Sequence, residues 1–551
     1  MPGLRASAPF LSLHPAVVDR RVRDLTLLGL VGGLLPCAIA LGIALKVPDP
    51  NLFALAGVVA GTLGVVALML STRYEATLAI LAIYLGTIDG VIKLTTGSQA
   101  TSSIRDLLIG AITLGALVRL VASRERIRLP PLSGWVIAFV ALVVIEAANP
   151  ELRGIPKLLA GFKQHLEWIP FFFFGYLLMR SKERFRKFFL LLGVIALANG
   201  VVSTIQTQLT PSQLASWGPG YAARINGTGS VSGRVYTDSR DKARVRPPGL
   251  GSDLGFGGGV GVLALPGILA LLAAGGLSRR SPFALLLFVG ALVAIVTSLQ
   301  RTDVLGAVVA VIAFALLSLS VGRKVARPLA ALLIVASISM VVISVLSSSA
   351  GQGVFSRYAS ISPDKAASTS YSYRVGDISE IPADINSFPF GAGLATAGAA
   401  RTFGGVGGAV VDGHVASAES QYNYITLELG LPGLLLWVSL TVALLVLVIR
   451  RIRLIPDIEL RLSLAGVFAV VIAFTMMGFA GPTMSNLPYG PFFWFAVGIA
   501  AYWFGGAQRR NLSGSGGAIR RSAIAGRGQW AQRRDLTANA TERRSERWIT
   551  R

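Results

Sequence analysis

Long apolar runs alternate with short polar connections along most of the chain. The first seven runs lie near Leu25–Leu45, Leu52–Leu70, Ala76–Ile92, Ile104–Leu120, Trp135–Ala148, Trp168–Met179 and Phe188–Thr207. Four more lie near Leu254–Ala274, Ala284–Leu299, Val304–Val321 and Leu329–Leu346. The last three are near Tyr424–Ile449, Leu464–Ala480 and Tyr489–Phe504. Most are as long as a helix needs to cross a hydrocarbon core, about 17–25 residues. The fifth and sixth are short or flanked by interfacial segments. A β-barrel would instead show short alternating segments. The pattern predicts an all-α polytopic membrane protein with about 12–14 transmembrane helices.

One interruption is large. Residues 348–418 are polar and rich in glycine, and they separate the eleventh run from the twelfth. The expected organisation is an N-terminal arm (1–24), a helix bundle (25–347), a large extracytoplasmic loop (348–418), C-terminal helices (419–504) and a basic tail (505–551). The first run is too long for a signal-peptide core and no small-residue cleavage site follows, so it reads as a retained anchor. The glycines Gly57 and Gly61, and those from Gly255 to Gly261, read as sites of close helix packing. No fixed-period repeat is visible.

Composition agrees with this pattern. Of 551 residues, 53% are hydrophobic and 14% charged, with mean hydropathy +0.65. Soluble domains carry about 25% charged residues. The single cysteine, Cys37, lies in the first apolar run and builds neither a disulfide framework nor a zinc site.

The formal charge of +24 changes the picture only through its placement. With the amino terminus inside, even-numbered runs end inside. Their linkers hold Arg73, then Arg119 to Arg128, then Arg180 to Lys187. The later ones hold Arg279 and Arg280, then Arg323 to Arg327, then Arg450 to Arg461. That is the positive-inside pattern, and it removes the need for a nucleic-acid partner. The tail reads as a disordered cytoplasmic arm near anionic lipid. Four outside segments break the rule: Glu151–Glu167, Pro211–Asp253, the turn at Arg301 and the long loop. A ligand would account for basic residues there.

Three arginine positions stand out. Arg301 lies between two apolar runs, where a cation faces a cavity or a partner; pairing with Asp303 is the alternative. Arg244 and Arg246 precede Pro247 and Pro248, which stiffen the approach to the eighth run; a solvated basic loop is the alternative. Arg374 lies in a stretch that reads as a short surface helix, with Asp377 and Glu380 as possible partners. Residues Phe388–Gly393 read as a tight glycine turn back towards the membrane. Converging guanidiniums suit phosphate or pyrophosphate, which they grip as a fork and without a metal. No outside carboxylate or histidine cluster reads as a metal site. His414 and Glu419 are candidate general bases, unless solvated. His165 also lies in an outside segment. Asp89 and Lys93, at helical spacing, are expected to pair with each other.

These stretches together resemble the O-antigen ligase and O-antigen polymerase superfamily of bacterial membrane glycosyltransferases. The likeness runs from about Arg244 to Leu440. Arg246-Pro-Pro-Gly249, Ser298-Leu-Gln-Arg301, Arg374 with Pro389-Phe-Gly391-Ala-Gly393, and Tyr422 through Glu428-Leu-Gly430-Leu-Pro-Gly433 carry it, in that order. Ligases of this family have His-Asn nine residues before the glutamate of the last motif. Here that position holds Glu419-Ser420, as in many polymerase-like members, so either Glu419 replaces the histidine or His414 reaches in.

The resemblance implies a GT-C-like fold and glycan transfer from an undecaprenyl-pyrophosphate-linked donor to a glycan or lipid acceptor. The transfer would be inverting and metal-independent, need no cofactor, and occur at the outer face of the bacterial cytoplasmic membrane. Arg244, Arg246, Arg301 and Arg374 would hold the pyrophosphate, and Glu419 or His414 would be the base. The aromatic run Trp168–Phe174 would line a lipid groove or sit in an interfacial belt. The rival class is a transporter or flippase for polysaccharide or lipid-linked glycan, which predicts ionisable groups along a pathway within the spans.

Overall fold

The computed structural model describes residues 74–98, 102–122, 129–152, 154–226, 235–237, 241–253, 255–275, 281–319, 378–398, 420–483 and 486–505, with 69, 358, 400–401, 410–411 and 414–415. The first apolar run, the second apart from Met69, the eleventh run, Cys37, Gly57, Gly61, Arg374, Glu419 and the basic tail beyond 505 lie outside these residues.

The architecture is a helix bundle. The first half holds α1 (Tyr74–Ile83), α2 (Asp89–Thr96), α3 (Ser102–Ala122), α4 (Ser133–Ile145), α5 (Ile155–Leu166), α6 (Pro170–Leu178) and α7 (Lys182–Gln208). Two short helices, α8 (Pro211–Ala215) and α9 (Pro219–Asn226), lead to a small hairpin of β1 (Val235–Thr237) and β2 (Ala243–Val245). Then come α10 (Phe256–Ala273), α11 (Pro282–Thr297), α12 (Arg301–Ser318) and the short α13 (Ile381–Ser387). A second hairpin, β3 (Val410–Val411) and β4 (His414–Val415), precedes α14 (Gln421–Arg451), α15 (Ile458–Met477) and α16 (Tyr489–Trp503).

Six helical stretches among the described residues are long and apolar enough to cross a membrane. They are Tyr74–Thr96, Lys182–Gln208, Phe256–Ala273, Arg301–Ser318, Gln421–Leu454 and Ile458–Met477, each matching a run predicted from the sequence. Shorter apolar helices at Ser133–Ala148, Pro282–Thr297 and Tyr489–Trp503 match three more. The sixth run differs. It forms only the nine residues of α6, about 14 Å of helix. Pro170 opens a new helix, so α5 and α6 follow one another as two short pieces. The short α6 is held by close contact with α16, where a Cβ on Gly175 would lie 2.0 Å from the Phe495 carbonyl.

The core centres on α10. Its apolar window is 94% buried, and α7, α11, α12 and α15 surround it. A helix apolar all round belongs in such a central place. Its early glycines give close packing, as expected: a Cβ on Gly261 would lie 2.7 Å from the Ala291 carbonyl. Between α1 and α2 the helix widens into a π segment, Tyr84–Ile88. There the Gly86 carbonyl accepts from Asn199 Nδ2 at 2.9 Å, a side chain entering the helical ladder.

Polar contacts sort the helix ends into two groups. At one end Arg184 pairs with Glu75 (2.6 Å), Lys182 lies 3.4 Å from Glu459, Trp503 Nε1 donates to the Met179 carbonyl and Arg451 donates to the Phe504 carbonyl. This end holds the basic linkers Arg180–Lys187 and Arg450–Arg461. At the opposite end Gln206 exchanges two hydrogen bonds with Gly249, the Gln421 N–H donates to the Gly478 carbonyl, and Tyr489 reaches Asp303. All the predicted site residues among those described belong to this second end.

Candidate active site

The segment after Arg246 and the residues after Arg301 pack against the same feature, the glycine-rich start of α10. The segment after Arg246 is clamped there. A Cβ on Gly249 would lie 3.3 Å from Cα of Gly257, the second residue of α10, and Gln206 holds both the N–H and the carbonyl of Gly249 at 2.9 and 3.0 Å. The Leu250 N–H donates to Asn199 Oδ1 at 3.0 Å. Pro247 and Pro248 are buried, so the approach is fixed as the sequence suggested. Arg246 is half-buried and its Nε has no hydrogen-bond partner among the described residues. Burial pulls its pKa down from the ordinary value, while the Tyr236 phenol opposes this. Arg244 sits in β2 opposite Tyr236.

Arg301 opens α12. Two residues later Asp303 points at α10, so that a Cβ on Gly258 would lie 2.2 Å from Asp303 Oδ2. Only glycine allows that approach. Asp303 is 1% exposed and its Oδ1 accepts from Tyr489 OH at 2.9 Å. A cavity of about 230 Å³ opens beside it, bounded by α10, α12, the end of α15 and the start of α16. Gln300, Thr302, Asn486 and Tyr489 line it, with Phe256 and Leu487. The last two also line a second, apolar cavity of about 300 Å³. This second cavity reaches from Phe256 past Phe171, Phe188 and Phe495 to Arg184 and Lys187 at the basic end.

The returning loop forms a different kind of site. Gly430 adopts φ 63°, ψ −163°, which interrupts α14. A continuous helix would bond the Leu431 N–H to the Leu427 carbonyl. Instead Leu431 N–H donates to the Pro389 carbonyl (3.0 Å) and Leu427 accepts from Ala392 N–H (2.7 Å). The Phe388–Gly393 turn therefore replaces the broken helical bond with two of its own. Gly391, at φ 97°, lies so close that a Cβ would be 2.5 Å from the Glu428 carbonyl. The expected glycine turn exists, and its partner is the motif glutamate.

Glu428 is fully buried at this junction. Its Oε1 accepts from Ala397 N–H (3.0 Å), and its Oε2 lies 2.8 Å from His165 Nε2. Tyr424 OH is 3.2 Å from the same nitrogen and stacks on the imidazole. On α5 the fully buried Lys157 donates to the carbonyls of Ala395 (3.0 Å), Ala400 (3.5 Å) and Arg401 (2.5 Å). Lys157, Gly161 and His165 are the buried residues of α5, at i, i+4 and i+8. That spacing was the signal in the sequence, and it names one helix face.

This corrects the expectation for Glu151–Glu167, whose two lysines have partners in the protein. Lys157 serves the loop, and Lys163 pairs with Asp106 at 2.6 Å. Asp89 also differs from expectation. Its partner across the fold is Arg105 (3.6 Å), which forks onto Glu167 at 2.6 and 3.1 Å. Of the expected bases, His414 has its backbone in β4, paired with Val411, and Glu419 directly precedes the helix cap Ser420 in sequence. Ser420 Oγ accepts from the Asn423 N–H at 3.0 Å. Among the described residues no three His, Cys, Asp or Glu side chains gather as a metal site would need.

A helical, membrane-spanning bundle with a polar cavity at one end and an apolar one along its helices defines a polytopic membrane protein. Residues 283–438 match a family model described as O-antigen ligase. The match covers less than half of the chain; that stretch is similar to the O-antigen ligase family, which supports glycan transfer at a membrane in general. It covers α11, Arg301, Asp303, the returning loop and Glu428, while Arg244 and Arg246 precede it. No curated protein and no solved structure matches the chain significantly.

Proposed function

We propose that the protein transfers or polymerises glycan from an undecaprenyl-pyrophosphate-linked donor onto an acceptor hydroxyl. The reaction takes place at the outer face of the bacterial cytoplasmic membrane, with the basic helix ends inside. The observation that carries this reading is the junction of two cavities, one apolar and one polar, at Phe256 and Leu487. A ligand with a long hydrocarbon tail and a polar head needs that pairing. The segments that follow Arg246 and Arg301 pack on the start of α10 next to Phe256, which supports assigning these two cations to a diphosphate that fork-like donors suit.

In the reaction the acceptor oxygen attacks the anomeric carbon and the bond to the carrier diphosphate breaks. The diphosphate leaves with the bonding electron pair. Arg246, Arg301, Arg244 and Arg374 stabilise the charge it gains. Glu419 or His414 takes the acceptor proton. Attack from the face opposite the leaving group inverts the anomeric centre, and no step uses a metal.

The test is incubation of the protein in vesicles with a lipid-linked oligosaccharide, followed by analysis of product length. A ladder of products means polymerisation, and a single transfer to another acceptor means ligation. No transfer to any acceptor contradicts the proposal. Activity is expected to survive a chelator, and its loss would contradict the metal-free step.

A further inference from the structure

We propose that α5 lies in the lipid interface at the end of the bundle opposite Arg450, with its apolar face against the acyl chains of that leaflet. This goes beyond the glycan-transfer reading and needs only that the bundle crosses a membrane. With the basic helix ends inside, the leaflet is the outer one. The first observation is an inverted helix. The buried residues of α5 are Lys157, Gly161 and His165. Its outward face carries Ile155, 71% exposed, and Leu159, 60% exposed, and the half-buried Phe162 and Leu166 continue the stripe. These four recur at i, i+4, i+7 and i+11, which is one face of an α-helix. A helix on a water-facing surface buries its apolar side and turns its polar side outwards. In α5 the two sides are exchanged, as they are where the surroundings are lipid.

The second observation is what holds the polar side. Lys157 donates to the Ala395 carbonyl at 3.0 Å, Gly161 packs against Leu394, and His165 meets Glu428 at 2.8 Å. The returning loop and α14 therefore lie along one side of α5. The apolar side points away from them. The polar groups of α5 are satisfied within the protein, and the side left over has no polar bonds to offer water.

The third is depth. Exposed apolar residues of α14 run from Leu431 through Leu435 and Val442 to Ile449, and Arg450 follows. At 1.5 Å per residue that stripe is about 27 Å long, close to the roughly 30 Å of a hydrocarbon core. Leu431 therefore marks the boundary far from Arg450. The returning turn is fastened at this boundary, since the Leu431 N–H donates to the Pro389 carbonyl, and Phe390 beside it is 72% exposed. His165 sets α5 at the same level, because its partner Glu428 lies three residues before Leu431. The outward face of α4 also ends here, with Val144 and Ile145 exposed and Asn149 bonded to the Gly391 carbonyl. The apolar face of α5 thus continues a lipid-facing surface already formed by α4 and α14. One side of α5 carries the loop and the other rests in the leaflet, so the bilayer itself sets the height of the loop.

The test reads position without turnover, so a failure of glycan transfer and a failure of this proposal are separate results. Nitroxide labels are placed by Ile155→Cys and Leu159→Cys, each with Cys37→Ser, in the full-length protein in phosphatidylethanolamine–phosphatidylglycerol vesicles. Power-saturation electron paramagnetic resonance compares collisions with oxygen, which concentrates among acyl chains, and with a water-soluble nickel chelate. Oxygen access should exceed nickel access several-fold at both positions. Nickel access equal to or above that of oxygen at either position means water there and overturns the proposal. Low access to both reagents means that a protein segment or a second copy covers the face, and it overturns the proposal as well. A second measurement uses the unlabelled chain. Leu159→Asp should lower the thermal midpoint in vesicles by several degrees, because a charge is costly against lipid, while Leu159→Phe should leave it unchanged. An unchanged midpoint in Leu159→Asp would contradict lipid contact.

Discussion

The Glu428 cluster and the Asp303 cluster lie at the same end of the bundle, and both are buried. They differ in what surrounds them. Glu428 meets His165, the Ala397 N–H and the returning turn, while Lys157 closes the loop from the other side. Asp303 meets Tyr489 on one oxygen and a cavity beside it. Buried polar groups that are fully bonded hold a shape, because removing one partner strands the other. Buried polar groups left beside a cavity have bonding capacity to give a ligand. The Glu428 cluster is therefore a clamp for the returning loop, and under the proposed function the Asp303 cluster would lie beside the substrate site.

If that contrast holds, the two clusters fail in different ways. Glu428→Leu should strand His165 and the Ala397 N–H in the interior and cost about 3–5 kcal/mol. Thermal unfolding in detergent should show a large drop in midpoint. A normal midpoint would mean that Glu428 is not a clamp.

A smaller effect is expected from Gly391→Ala. Its φ of 97° and the Glu428 carbonyl 2.5 Å from the new Cβ both oppose a side chain. The cost should be about 1–3 kcal/mol. Limited proteolysis of residues 348–418 should speed up, because the turn anchors the loop to α14. Unchanged cleavage would remove the turn from the clamp.

The smallest effect concerns pH. Burial pushes the Asp384 carboxyl in α13 up to about 6, with Glu380 adding to this and Asn423 opposing it. A raised folded pKa means that the native state holds its proton more tightly than the unfolded chain. Stability from this group is full below about pH 4 and is lost as pH rises through about 6. Asp384→Asn should therefore raise the midpoint at pH 7 more than at pH 4.5, by on the order of 1–2 kcal/mol. An equal effect at both pH values would contradict that assignment.

Much of this arrangement was legible in the chain. The apolar runs marked the helices because a hydrocarbon core demands one long continuous stretch per crossing. The arginines at 246 and 301 stood out because they broke the positive-inside pattern, and both lie at the end of the bundle opposite Arg184 and Lys182. The turn at Gly391 and Gly393 was legible from its glycines. Other features were hidden by their dependence on distant partners. Lys157 looked like a ligand-facing cation until its three loop carbonyls were seen, since hydrogen bonds across more than two hundred residues leave no local mark. Asp303 read as a neighbour for Arg301, whereas its bond is to Tyr489, far along the chain. Pro170 opens α6 two residues inside the sixth run, so the helix is shorter than the apolar length implied.

The account rests on cations outside the clamp serving the substrate. The most direct measurement is the glycan-transfer rate of Arg301→Ala in reconstituted vesicles, read together with its thermal midpoint. A fall of about 10²–10³-fold with an unchanged midpoint is expected for a group that stabilises the leaving diphosphate. Transfer at the wild-type rate would contradict the account.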